Sequence, residues 1–314
     1  MDINGFSFAP LNMADSNPGR VEYCPGGVGR NIAENLQRLG ADVRFIGVIG
    51  DDPGGELIRN SGARMRLNIE HSLFLKNAVT PVYIALMDSD GEMKLALADM
   101  DIMEQMTVEH LESKAGIINE SSIILLDTNL PESIIGFVLD RFGAGGAFAA
   151  GGAFAAGTGP KFFLDTVSAR KAPRAASRLG SFDTLKLGRM EASILSGIEF
   201  TGAGERLEEA ANFLAGRGAS RVFITLGKEG VFTARAGRGF FTPVRYAPPL
   251  NTSGGGDAFM AGIVYGTLQG WDDEAIVSFS LAMARLTVQS KSAVAPEMCL
   301  ELVKNEESKM RSKE

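Results

Sequence analysis

Residues Asn251–Gly262 read NTSGGGDAFMAG. Three consecutive glycines, Gly254, Gly255 and Gly256, stand directly before one carboxylate, Asp257, and an apolar run follows from Ala258. Successive glycine N–H groups at a helix N-terminus form a nest for an anion, and the helix dipole adds partial positive charge there. The same dipole favours an ionised Asp257. A carboxylate so placed can accept a proton from an attacking hydroxyl while the N–H groups stabilise charge on a phosphoryl group in transit. Taken alone, the stretch fits equally well an acid that offsets a helix dipole behind a glycine turn. It is not a Walker A loop, because no Gly-Lys-Ser or Gly-Lys-Thr occurs in it.

Three other stretches carry residues suited to chemistry. In Gly26–Gly40, GGVGRNIAENLQRLG, the Pro25-Gly26-Gly27 entry lets backbone approach a ligand closely, and Asn31 lies in the first turn of a helix where it could bond hydroxyls. A dinucleotide fingerprint needs a preceding strand and a third glycine, and both are lacking. This stretch alone leaves ligand site and tight helix entry both open. In Val222–Phe232, VFITLGKEGVF, Thr225 and Gly227 stand at a strand end where a nucleotide could touch them. In Leu185–Gly197, LKLGRMEASILSG, Glu191 begins a helix and either holds a metal-bound water or serves as an N-terminal helix acid.

The elements that position these residues follow from hydrophobic periodicity. Near-continuous apolar runs at 43–49, 122–126, 161–164, 184–187 and 221–226 fit parallel strands covered on both faces. Helical patterns at 30–39, 54–63, 132–142, 191–196, 206–216, 259–269 and 274–289 alternate with them. Such alternation predicts an α/β fold, a doubly wound, mostly parallel sheet flanked by helices, with ligands at the carboxyl ends of the strands. Residues 72–98, with a DSDG turn at 88–91, read as a β-meander, and 5–25 is a proline-containing stretch with a short Arg-Val-Glu-Tyr run; together they predict a small β-lid, the alternative being a pair of edge strands without a lid role. The α/β domain then comprises 1–4, 26–71 and 99–314. Residues 143–159, with GGAFAA twice in tandem, form a low-complexity insertion. The charged end, 304–314, is expected to fray.

The chain has 314 residues with a net charge of -7, which argues against nucleic acid as the main partner while leaving room for a small anionic ligand. Only two cysteines, Cys24 and Cys299, occur, without a CxxC pair, and the expected setting is a reducing cytoplasm. The two histidines have no zinc-ligand spacing. No secretory signal or run of membrane-spanning length is evident, so no membrane partner is expected.

Taken in order, the GG…N stretch, GVIGDDPGGEL (47–57), Glu191, TLGKEG (225–230) and the GGGD loop resemble the ribokinase-like (PfkB) family of sugar and nucleoside kinases. The resemblance spans nearly the whole chain apart from 143–159. DSNPG (15–19), directly upstream of PGGVGRNIAENL, together with LALADM (95–100) and LDTVSARKA (164–172), is most similar to the pseudouridine-phosphorylating branch. The resemblance implies ATP-dependent phosphorylation of the 5′-hydroxyl of pseudouridine, with Asp257 as base and Gly254, Gly255 and Gly256 as anion hole; the alternatives are a kinase for another ribonucleoside or sugar, or a non-catalytic nucleoside-binding protein. It implies that Asp2, Gly27 and Asn31 grip the ribose, with Ser16, Asn17 and Lys171 as further substrate contacts. Lys186, Thr225, Gly227 and Asn251 fall on the ATP side. Mg²⁺ would be held through water by Glu191, a monovalent cation is possible, and a homodimer through the lid is expected. Three departures stand out. Met1 falls inside a motif that in the family follows a central strand, so a buried strand and its stability are expected to be missing. Gly188 replaces a polar residue near the metal. Gly255 replaces an alanine, which is expected to loosen the loop.

Overall fold

The computed structural model describes residues 1–143, 159–235, 237–244, 250–251 and 253–311. Apart from its two end residues, the expected insertion lies outside them. In chain order the strands are β1 (Asp2–Ser7), β2 (Gly19–Cys24), β3 (Val48–Gly50), β4 (Leu73–Leu75), β5 (Val82–Met87), β6 (Met93–Asp99), β7 (Ile123–Asp127), β8 (Lys161–Asp165), β9 (Thr184–Gly188), β10 (Arg221–Thr225), β11 (Gly230–Arg235) and β12 (Arg238–Pro243). The helices are α1 (Val28–Arg38), α2 (Pro53–Met65), α3 (Val108–Ser113), α4 (Ala115–Asn119), α5 (Glu132–Phe142), α6 (Arg189–Ser196), α7 (Glu205–Gly216), α8 (Gly255–Leu268), α9 (Asp273–Val288) and α10 (Leu300–Arg311).

The main sheet has six strands in the order β12-β11-β10-β9-β8-β7. β7 to β10 run parallel, and β11 and β12 return antiparallel. Period-2 alternation distributes the apolar side chains of β8 and β10 to two cores. Phe162, Leu164, Val222 and Ile224 pack with α5 and α7 on one face. Phe163 and Phe223 pack with α1, α8 and α9 on the other. Both faces are covered, which is why these strands read as unbroken apolar runs. The charged end does not fray before Arg311: α10 buries Val303 completely, packs Leu300 and Met310 on the same core and pairs Glu306 with Arg285 at 2.8 Å, and these contacts hold it on the body.

A second sheet, β2-β1-β5-β6, carries the hairpin material. β1 pairs antiparallel with β2 and parallel with β5. Its ladder to β5 is extended at its start by Tyr83 N–H donating to the Met1 carbonyl at 2.9 Å. Residues 2–7 are therefore one strand of this sheet, and the boundary expected between residues 4 and 5 falls inside it. β4, expected in the lid, instead pairs with β3. Cys24, at the end of β2, is half-buried, and burial raises its thiol pKa.

The strand expected over 43–49 is shorter in the fold. Only Val48–Gly50 pairs as a strand, preceded by one bridge between Arg44 and Asn68. Its partner on one side is β4, and among the described residues no strand pairs with its other edge or with the outer edge of β7. Both open edges line a cavity of about 1110 Å³, walled by Ile32, Leu36, Val43, Ile123 and Leu125. This slot has the apolar walls and backbone edges that an added strand needs. A variant extended ahead of Met1 by a short Val/Ile-rich segment is expected to melt at least about 3 °C higher than the 314-residue chain. Calorimetry gives the answer, and an unchanged Tm would mean that the slot takes no strand.

Candidate active site

The glycine loop lies where the chain enters α8. Gly254 is the N-cap, with φ of 80° in the left-handed region, and as a glycine it gives the helix no capping side chain. A Cβ on Gly254 would stand 1.9 Å from the Ala293 carbonyl oxygen, so only glycine fits. The first-turn N–H groups of a helix have no intrahelical acceptor, and a glycine N-cap leaves them available to an anion. Gly255 is not loose. A Cβ there would meet Val288 Cγ1 at 2.8 Å, so the α8–α9 packing already fills the space an alanine would occupy.

Asp257, in the first turn of α8, is 9% exposed. Its Oδ2 accepts a hydrogen bond from Asn31 Nδ2 at 2.8 Å. Asn31 is itself fixed: Arg30 Nη1 donates to its Oδ1 at 2.9 Å, and Arg30 is buried against Glu34. α1 therefore delivers an amide whose orientation is set by a guanidinium, and Gly27 makes this entry possible with φ of 98° at the N-cap of α1. Asp257 is raised to about 7, by burial first and then by the nearby Asp165 charge, against the pull of Lys186 and the Asn31 bond. This corrects the sequence expectation that the helix dipole keeps the acid ionised: desolvation of a buried carboxylate outweighs a partial dipole charge. A carboxyl that titrates near neutrality is suited to a general base.

The strand ends supply the rest. Lys186, on β9, is buried and donates to Asp165 Oδ2 at 3.0 Å. Burial alone would lower its pKa, but Asp165 and Asp257 together hold it above the usual lysine value. Asp127, at the end of β7, accepts from Gly29 N–H at 3.1 Å, and burial raises its pKa. Lys171 donates to Asn129 Oδ1 at 2.5 Å, and its pKa is lowered by burial. Asp2, Gly27, Asn31, Lys171, Gly254 and Asp257 line the same cavity. Gly26 packs on Asp2, so a Cβ there would lie 2.1 Å from its carboxyl.

Other expected residues stand further off. Ser16 and Asn17 are exposed and do not line the cavity; the Asn17 side chain closes its own loop by bonds to Asn12 and Asp15. Asn251 uses its side chain on the Lys291 carbonyl and the Ser253 N–H, which shapes the loop rather than offering a donor to a nucleotide. Thr225 Oγ1 donates to the Leu187 carbonyl at 3.2 Å, and Gly227 turns the chain with φ of 59°. Glu191 folds back over Gly188, where a Cβ would meet its Oε2 at 2.2 Å. The glutamate thus occupies the space left by the missing polar side chain. Among the described residues no cluster of three or more His, Cys, Asp or Glu can hold a metal by itself. Asp165, Asp127, Asn129 and Arg30 had no assigned role in the sequence reading. The first three stand at or just after the carboxyl ends of strands, where the sequence does place ligand-facing polar residues.

Residues 2–298 match the family model described as pfkB family carbohydrate kinase. The chain belongs to the PfkB family. It is a phosphotransferase with an alcohol group as acceptor, on a ribokinase-like α/β fold. It is 30% identical over 302 residues to the pseudouridine kinase of Escherichia coli (strain K12), covering 96% of this chain and 91% of the relative. A carbohydrate kinase from Agrobacterium tumefaciens superposes with a TM-score of 0.75 at 26% identity, covering 98% and 94% of the two chains. The fold is shared with an Arabidopsis thaliana ribokinase solved with ribose and ATP, with a TM-score of 0.78, 24% identity and coverage of 96% and 95%. No helix among the described residues is long and apolar enough to cross a membrane.

Proposed function

We propose that this PfkB-family phosphotransferase moves the γ-phosphoryl group of ATP to the 5′-hydroxyl of pseudouridine. The observation that carries the reading is Asp257, held by Asn31 at the uncapped N-terminus of α8. Asp257 takes the hydroxyl proton, the 5′-oxygen attacks phosphorus, and ADP leaves. The first-turn N–H groups and Lys186 stabilise the charge that gathers on the phosphoryl oxygens. Asp2, Gly27, Asn31 and Lys171, which line the cavity with Asp257, are proposed to hold the nucleoside. The likeness to a pseudouridine kinase supports the choice of nucleoside. Mg²⁺ in such sites is held mainly by phosphate oxygens and waters, which one or two carboxylates suffice to orient, and half-buried Glu191 fits that role. When bound, the ion would supply charge neutralisation of the phosphates.

The deciding measurement is ATP consumption with pseudouridine beside uridine and ribose. Good turnover of ribose or uridine with none of pseudouridine would sink the choice of nucleoside. Binding of pseudouridine with no turnover of any acceptor would sink the kinase reading. With Asp257 titrating near 7, kcat/KM is expected to rise with pH up to about 7 and then level off. A flat profile between pH 5 and 9 (roughly the stable range) would exclude Asp257 as base.

The β2-β1-β5-β6 sheet is proposed to close over the nucleoside and to pair with a second copy. β6 is exposed along its whole length, and Val21, Tyr23, Leu95 and Leu97 leave apolar surface on the sheet. Leu97→Glu is expected to shift the protein from dimer to monomer in light scattering. The same mass for both proteins would rule out this interface.

A further inference from the structure

We propose that Asp165 is a positioning residue for phosphoryl transfer, holding Lys186 against the anion loop with one carboxylate oxygen and a strained turn of the nucleoside wall with the other. The inference rests on the kinase reading above. Asp165 ends β8 and is 1% exposed. Its Oδ2 accepts from Lys186 Nζ at 3.0 Å, and its Oδ1 accepts from Val167 N–H at 3.0 Å. An ammonium has three donors, and among the described residues only the one to Asp165 is used within the protein. Lys186 Nζ lies 2.9 Å from the place of a Cβ on Gly256, so the lysine is in contact with the anion loop itself. Glycine at 256 makes room for that ammonium.

The other oxygen has a different task. Val167 has φ of 57°, a left-handed conformation that a β-branched residue rarely adopts and that costs on the order of 1–3 kcal/mol. Asp165 Oδ1 and the tight Ser168 N–H to Thr166 carbonyl bond keep it there. Val167 and Ser168 line the same cavity as Asp2, Asn31 and Asp257, on the wall assigned above to the nucleoside. One buried carboxylate thus links the nucleoside wall to the phosphate cradle. It also stands among the groups facing Asp257: Asp165 and Asp127 from β8 and β7, Lys186 from β9, and Asn31 and Arg30 from α1, with Glu191 of α6 near Lys186.

Asp165→Asn keeps an oxygen for Val167 and removes the charge. Lys186 then turns its attraction to Asp257, and a like charge beside Asp257 is gone. Both changes favour the ionised base. The test is a ¹³C-carboxyl NMR titration of Asp257, whose resonance is identified by its absence in Asp257→Asn. In Asp165→Asn the midpoint is expected to fall by at least about one pH unit, with kcat reduced roughly ten-fold or more. Val167→Gly, which adopts the turn without strain, is expected to leave the midpoint in place. An unmoved midpoint in Asp165→Asn, whatever the rate, overturns the proposal. Should that variant fail to fold, Lys186→Met reads the same link and is expected to raise the midpoint; no rise overturns the proposal. The titration needs no turnover, so a protein inactive on every acceptor would defeat the kinase reading and leave this result standing.

Discussion

Asp257→Asn is expected to lower kcat by on the order of 10²-fold or more, with KM for ATP within about two-fold of the parent value. The amide keeps the volume and can still meet Asn31, but it cannot take the hydroxyl proton. The same change is expected to stabilise the protein at pH 8. The folded-state pKa of this carboxyl is raised from 3.8 to about 7, so between those values the folded protein binds more protons than the unfolded chain. Stability contributed by the neutral acid is therefore full below about 4 and is lost as pH rises through about 7. The asparagine escapes that loss, and its advantage should grow from pH 4 to 7 and then stay level, reaching on the order of 2–4 kcal/mol. Melting curves across pH together with initial rates test both halves. Near-parental kcat would remove Asp257 as base, and a Tm difference independent of pH would contradict its raised pKa.

The second large effect belongs to Gly254→Ala. Its added methyl would lie 1.9 Å from the Ala293 carbonyl oxygen, and its φ is 80°. The obstacle is backbone, so no side-chain rotation relieves it, and the α8 N-terminus must move. A loss of roughly 3 kcal/mol or more in stability and most of the activity is expected. Gly227→Ala provides the contrast. It has φ of 59° with open space around the Cβ position, so only the left-handed strain of about 1–2 kcal/mol applies. Equal Tm losses in the two variants would mean that the contact with Ala293 does not hold the loop.

The sequence carried much of this site because its chemistry is local. The GGGD loop and its helix are contiguous, and so are Gly27 and Asn31, so spacing alone placed them on helix entries. The apolar runs of β8 to β10 were readable because both faces of these strands are covered. Long-range relations were not legible. That Asn31 meets Asp257 depends on α1 packing beside α8, and that Lys186 meets Asp165 depends on β8 and β9 being neighbours. The raised pKa of Asp257 was misjudged for the same reason, since burial depends on the fold and the helix dipole can be read from the chain. Residues 43–47 read as a strand by composition, but their backbone makes a single bridge, Arg44 to Asn68, and composition says nothing about the partner.

Cys24 and Cys299 bear on how the proposed closing of the four-stranded sheet can be tested. One ends β2 in the four-stranded sheet, and the other directly precedes α10 on the α/β body. Cys299 is exposed, while Cys24 is half-buried with its thiol pKa raised by burial. Thiolate is the reactive form, so an alkylating dye reaches Cys299 first and Cys24 only with excess reagent or higher pH. Stepwise labelling therefore places a donor on the four-stranded sheet and an acceptor beside α10 on the α/β body, with no engineered residue. The sequence contains its own spectroscopic ruler for the distance between the four-stranded sheet and the α/β body.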